Sequence, residues 1–199
     1  MKRMLQLFVL IVSVSAGADD SAYNQVRDQI FWKSLYARPY VTLYCGVPKP
    51  AGEKVTVEHV YPASWIADAQ GCKDRDTCPV DIYRQASSDL HNLWPALGRY
   101  NYSRGNAPFT EIAGEKWRWP ECDFEKNSTG VEPRESVRGE IARSFLYMTD
   151  RYQLPDHGQR ALMLKWNRDD PVSDEEIQRN REIYLLQGVY NKYISQPIP

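Results

Sequence analysis

The 199-residue sequence lacks several things that would have pointed to simple answers. It has no excess of one charge: 25 Lys and Arg stand against 26 Asp and Glu, a formal net charge of −1. That excludes a polybasic nucleic-acid coat, but not a local basic patch. Only three histidines and four cysteines are present. None forms a Cys-x-x-Cys or a His pair at metal spacing, so neither a zinc ribbon nor a zinc-hydrolase centre is indicated. There is no Gly-x-Ser-x-Gly elbow for a serine nucleophile. No internal repeat, low-complexity tract or linker interrupts the chain. What remains, 42% hydrophobic and 26% charged, is ordinary globular composition, enough for one domain with a real core.

The one long apolar run is at the start. Met1-Lys2-Arg3 is basic, Leu5 to Val14 is apolar apart from Gln6 and Ser13, and Ala16-Gly17-Ala18 is a small-x-small cleavage site. These are the parts of a secretory signal, expected over residues 1–18, with cleavage after Ala16 as the close competitor. A run this short falls below the roughly 20 apolar residues that span a bilayer, which disfavours an uncleaved anchor. Loss of Lys2 and Arg3 leaves 23 basic against 26 acidic side chains, a net −3 over residues 19–199. Export changes the meaning of Cys45, Cys72, Cys78 and Cys122: an even number outside the cytoplasm points to two disulfides. Of three possible pairings, Cys72 with Cys78 closes a small loop and leaves Cys45 with Cys122.

The mature chain reads as α+β, mostly helical, in one domain. Tyr23, Val26 and Ile30 share a helical face over Ser21 to Ala37, which Pro39 ends. Val41 to Tyr44 is β-prone. Lys54 to Val60 alternates with a period of two, and Pro62 stops it. Leu90 to Trp94 is a second strand candidate, with Pro95 placed to open a helix and Asn101 about two turns into it. Gly71 to Asp81 is a loop, and Thr110 to Thr129 is strand and loop. Pro133 starts a helix carrying Val137, Ile141, Phe145, Met148 and Tyr152, which are core positions. Asp156 to Trp166 is another helix. Ser173 with Glu176 makes a capping box for a last one, ended by Gly188.

Two clusters can carry chemistry. Glu58 and His59 are neighbours on a strand, so they point to opposite faces unless a kink before Pro62 brings both to one cavity. Asp89, His91 and Asn92 precede Trp94-Pro95, and buried they need partners, in a structural network or an active site. Together the clusters suggest strand, strand, helix. A hard cation such as Mg²⁺ keeps most of its waters and takes one or two oxygen ligands, a role that suits the Glu58 carboxylate and the Asn101 amide oxygen. His59 then remains free as a base. His157, at a helix start, reads as a surface residue.

These segments resemble the bacterial endonuclease I family of secreted non-specific nucleases, of the ββα-metal (His-Me finger) class. The resemblance rests on Glu58-His59-Val60-Tyr61-Pro62-Ala63-Ser64-Trp65 and on Asp89-Leu90-His91-Asn92-Leu93-Trp94-Pro95-Ala96-Leu97-Gly98. Arg104-Gly105-Asn106, Gly139-Glu140-Ile141-Ala142-Arg143, Leu146-Tyr147-Met148, Arg179-Asn180 and Gln187-Gly188 extend it in order over most of the mature chain.

The resemblance implies a ββα-metal motif in which His59 is the general base and Glu58 and Asn101 hold one hydrated Mg²⁺, with Ca²⁺ or Mn²⁺ as substitutes. It also makes Arg75, between Cys72 and Cys78, the arginine that binds the phosphate; spacing alone reads it as a solvated loop charge. Asn92 is a candidate for orienting His59 or for a structural hydrogen bond. One departure stands out: some relatives carry a Glu just before the Asp-Leu-His-Asn segment, where this chain has Ser87-Ser88. The implied activity is divalent-metal-dependent cleavage of double- and single-stranded DNA and of RNA, leaving 5′-phosphate ends. The implied protein is a periplasmic or secreted monomer; the alternative is an inactive binding domain on the same scaffold. Arg99, Arg104, Lys116 and Arg118 are candidates for a positive surface. Asn101-Tyr102-Ser103 and Asn127-Ser128-Thr129 are glycosylation sequons, and a glycan on Asn101 is incompatible with its role as a ligand.

Overall fold

The computed structural model describes residues 19–114, 116 and 119–194. The expected signal segment and Arg118 lie outside them. Among the described residues the fold is α+β, with three two-stranded antiparallel sheets set among helices. In chain order these are α1 (Asp19–Gln25), β1 (Tyr40–Val41), β2 (Pro48–Lys49), β3 (Thr56–His59), α2 (Ala63–Ala69), α3 (Asp81–Ser87), β4 (Leu93–Ala96) and α4 (Gly98–Arg104). There follow β5 (Phe124–Lys126), β6 (Val131–Pro133), α5 (Arg138–Tyr152), α6 (Arg160–Asp169) and α7 (Asp174–Gln187). No described helix is long and apolar enough to cross a membrane.

The centre of the fold is α5. Ile141, Phe145 and Met148 are fully buried, as their spacing predicts, but so are Ala142, Arg143, Leu146 and Tyr147. The helix is therefore covered on more than one face, by α6, by α3 and by Tyr61 against Phe145. Its start differs from the expectation. Pro133 closes β6 opposite Phe124, and a 3-10 turn over Glu135–Val137 intervenes before the helix. The capping box of α7 forms as read: Ser173 Oγ accepts from the Glu176 amide, and Glu176 Oε2 accepts from the Ser173 amide. Gly188 ends the helix with φ of 78°, a conformation that favours glycine. Glu176 also takes both arms of the buried Arg143, at 2.7 and 2.6 Å, which ties α7 to α5.

The first helical segment is only partly α-helix. After α1 it widens into a π-helix over Val26–Leu35. The extra residue per turn sets Phe31 against Tyr36, with ring centroids 4.6 Å apart, and packs both on Leu90, Leu93 and Ile183. The helix expected from Asp156 begins four residues later, because His157 takes a left-handed conformation with φ of 49°. Both expected disulfides are present: Cys45–Cys122 joins the β1–β2 turn to the turn before β5, and Cys72–Cys78 closes the loop around Arg75.

Candidate active site

β3 and β4 pair antiparallel, with Glu58 opposite Trp94 and His59 opposite Leu93, and α4 follows two residues later. Pro95 lies inside β4 and does not start a helix. Its carbonyl accepts from the Leu43 amide, so its peptide faces the outer edge of the ribbon, where the missing N–H costs nothing. With α4 beginning at Gly98, Asn101 is one turn into the helix and not two. Its amide nitrogen donates to Thr56 Oγ1 and to the Val57 carbonyl, both at 3.0 Å. A carbonyl only accepts, so the amide is fixed with its oxygen left for another partner. That nitrogen is also the atom a glycan would need.

The chain leaves β3 at His59; the Val60 amide still pairs with the Asn92 carbonyl, but the other backbone groups that follow have lost their ladder. Two side chains take them over. Arg104, buried to 1% exposure, donates to the carbonyls of His59 and Val60 at 2.9 and 2.8 Å. Asn92 grips the Tyr61 amide and carbonyl at 2.7 and 2.9 Å. Asn92 therefore positions the backbone after His59, while the imidazole itself is held by the Ser87 carbonyl. Arg104, expected on a positive surface, is instead a buried strut, because the carbonyls and Glu58 that it satisfies have no water to turn to.

Glu58 is 1% exposed. Its Oε1 accepts from the Tyr44 hydroxyl at 2.7 Å and from Arg104 at 2.8 Å. Burial raises its pKa to about 7, against the pull of Arg104. His59 is half-buried. Nε2 lies 2.8 Å from the Ser87 carbonyl, so this nitrogen must carry the proton and Nδ1 is the basic atom. Desolvation lowers the His59 pKa to about 4, with Arg75 and Arg104 adding to the effect. The ring is thus neutral at pH 7.

Glu58, His59, Arg75 and Asn101 all contribute to the wall of one cleft of about 950 Å³. Arg75 sits there on a short 3-10 turn, 57% exposed at its side chain and 3.2 Å from Asp76. Three further features of the cleft escaped sequence reasoning. The Tyr23 ring, which the sequence places only on a helical face with Val26 and Ile30, packs 5.1 Å from His59. Arg27 and Lys54, not Arg99 or Lys116, join Arg75 as the cations of the wall. Asp28 and Asp76 line it too, so the positive field is modest. Arg99 is engaged elsewhere, 2.6 Å from Glu121. The remaining predicted histidines are outside: His91 is buried under Tyr147, and His157 is exposed against Trp65.

The sequence profile of the family described as Endonuclease I matches residues 13–198. The chain belongs to the endonuclease I family. An extracellular deoxyribonuclease of Aeromonas hydrophila is 35% identical, with 98% of this chain and 99% of the relative covered. Endonuclease-1 of Buchnera aphidicola subsp. Acyrthosiphon pisum (strain APS) is 30% identical over 95% of this chain and 79% of its own. An extracellular ribonuclease of Bacillus subtilis (strain 168) is 33% identical over 55% of this chain and 44% of its own. Within this endonuclease I chain, Ser87 supplies its backbone carbonyl to His59. That contact requires no particular side chain.

The donor set suits a hard cation. Glu58 has committed one oxygen and Asn101 its nitrogen, which leaves one carboxylate oxygen and one amide oxygen on the cleft wall. Among the described residues no group of three His, Cys, Asp or Glu side chains is placed to bind a metal, so a soft or fully protein-caged ion does not fit. A buried carboxylate with a pKa of about 7 gains most from a neighbouring divalent charge.

Proposed function

We propose that the chain is an exported, monomeric, divalent-metal-dependent endonuclease that cuts DNA and RNA without sequence preference and leaves 5′-phosphate ends. The observation that carries this reading is the access of His59 to the cleft: with its Nε2 proton on the Ser87 carbonyl, Nδ1 stays unprotonated at neutral pH on the wall of an open cleft. In a ββα-metal arrangement of β3, β4 and α4, Nδ1 takes a proton from the water that attacks phosphorus. The P–O3′ bond breaks, the 3′ oxygen takes a proton from solvent, and the phosphate stays on the 5′ side. Glu58 and Asn101 would hold Mg²⁺, with Ca²⁺ or Mn²⁺ as substitutes. When bound, that ion supplies charge compensation at the phosphate and at the departing oxygen. Arg75 holds a non-bridging oxygen with its guanidinium, and the Cys72–Cys78 bond restrains the loop that carries it. Export is supported by the residue pattern of 1–18, by the two disulfides and by relatives named as extracellular enzymes.

The test is digestion of plasmid DNA and of RNA with Mg²⁺ and with EDTA. Cleavage of both substrates that EDTA abolishes is expected, with 5′-phosphates on the products. Binding without cleavage in Mg²⁺ would instead favour the inactive binding domain.

A further inference from the structure

Tyr102 is 78% exposed, yet it lines the cleft next to Asn101. Large exposed apolar side chains elsewhere on the described surface lie away from this cleft. Tyr184, 41% exposed, is stacked on Tyr190, at 4.1 Å and 6°. Tyr102 has no such ring partner and no hydrogen bond among the described residues. The other cleft aromatics are engaged: Tyr23 lies against His59, and Trp32 and Tyr83 are 7% exposed. The ring of Tyr102 nevertheless has a neighbour on one side. It lies over Gly98, where an added Cβ would come within 3.2 Å of Tyr102 Cε2 and 3.4 Å of Thr56 Cγ2. The absence of a side chain at Gly98 lets the ring sit against the first turn of α4, with its other face open.

We propose that Tyr102 is a stacking platform for an unpaired nucleobase of the substrate, and that it biases the cleft towards single-stranded nucleic acid. The proposal rests on the nuclease reading above. A π-face accepts any base, which agrees with cutting without sequence preference. A duplex gains little, because its bases are already stacked on one another.

The full chain is titrated in EDTA, which prevents cleavage, with a labelled short single-stranded DNA and with its duplex. Fluorescence anisotropy reads both affinities. Tyr102→Ala is expected to weaken single-strand binding about tenfold or more, the range found for base–aromatic contacts, and duplex binding about twofold at most. Tyr102→Phe keeps the ring and the affinity. Gly98→Ala displaces the ring and gives an intermediate loss on the single strand alone. Unchanged single-strand affinity in Tyr102→Ala, an equal loss on both DNAs, or Tyr102→Phe as weak as Tyr102→Ala would each overturn the platform and leave the nuclease reading standing. A wild-type chain that binds neither DNA overturns the platform, while digestion in Mg²⁺ tests the nuclease reading separately.

Discussion

His59 and His91 are chemically matched and oppositely placed. Each presents Nε2 to a backbone carbonyl, Ser87 at 2.8 Å and Val189 at 2.9 Å, so each has its proton on the same nitrogen. In each, burial lowers the pKa to about 4, and two nearby arginines add to the effect. The difference is access. His59 is half-buried on the cleft wall, whereas His91 is fully buried and its Nδ1 has no hydrogen-bond partner among the described residues. A locked tautomer and a lowered pKa follow from burial beside a carbonyl, and by themselves they do not mark a base. The basic nitrogen must also reach water and substrate. His91 instead completes a structural knot: its amide donates to Asp89, whose other oxygen accepts from Tyr147 and Tyr152. A hydrolase that uses both histidines is therefore excluded by their placement.

The most direct way to break the comparison is to delete each ring in turn. His59→Ala should lower kcat/KM on plasmid DNA by about 10²–10⁴-fold, the usual worth of a positioned base. Its melting temperature should move by only a few degrees, since about one hydrogen bond's worth of stability is lost. His91→Ala should do the reverse. It leaves a cavity and the Val189 carbonyl unpaired, which costs about 2–4 kcal/mol and lowers Tm by roughly 5–15 °C. Activity at 25 °C should stay within a few-fold. The sign with pH can also be checked. His91 is neutral when folded down to about pH 4, but protonates near 6.5 when unfolded, so the native state loses stability from this group as pH falls through that window. The variant lacks this penalty. Its deficit in urea denaturation should be largest at pH 7 and should narrow towards pH 4; a constant deficit would remove His91 as the titrating group.

Much of this contrast was legible in the sequence, but not which residues surround each ring. Periodicity located α5, and the Ser173–Glu176 box located α7, because both signals are local. Glu58 and His59 on a strand and Asn101 on the following helix were also readable, and so were the disulfides. α2 and α3 were missed: each is seven residues long, too short for a helical period to separate from a loop. Arg104 was misjudged because its meaning depends on Glu58, 46 residues away; in sequence it is only a cation at a helix end. The same holds for Tyr23, whose contact with His59 comes from chain return and not from its own neighbours.

A smaller effect separates the two rings by their neighbours. Arg75 bears on His59, while Arg179 and Arg151 bear on His91. Arg75→Ala should cost about ten- to hundredfold in kcat/KM by loss of a charged hydrogen bond to phosphate. Stability should hardly change, because Arg75 is exposed and its pair with Asp76 is worth little. In histidine NMR titrations the His59 resonance should move to higher pKa and the His91 resonance should stay. Movement of both, or of neither, would contradict the placement of Arg75 beside His59.

The smallest effect per step concerns which group sets the acid limb of activity. Neither histidine can, because both stay neutral down to about pH 4. Glu58 can: burial raises it to about 7, so below neutrality a proton competes for the carboxylate that is proposed to hold the cation. Each cation bound then displaces a proton, and the apparent dissociation constant for Mg²⁺ should rise about tenfold for each pH unit below 7. The acid limb of kcat/KM should accordingly lie near 7 at low Mg²⁺ and move down as Mg²⁺ is raised. Calorimetric titration of Mg²⁺ from pH 8 to pH 5 measures the linkage directly. His59→Ala should show the same slope as wild type, and Glu58→Gln should bind weakly with no slope. A slope that disappears with His59 and survives without Glu58 would mean that the imidazole, and not the carboxylate, is the group that gives up its proton to the metal.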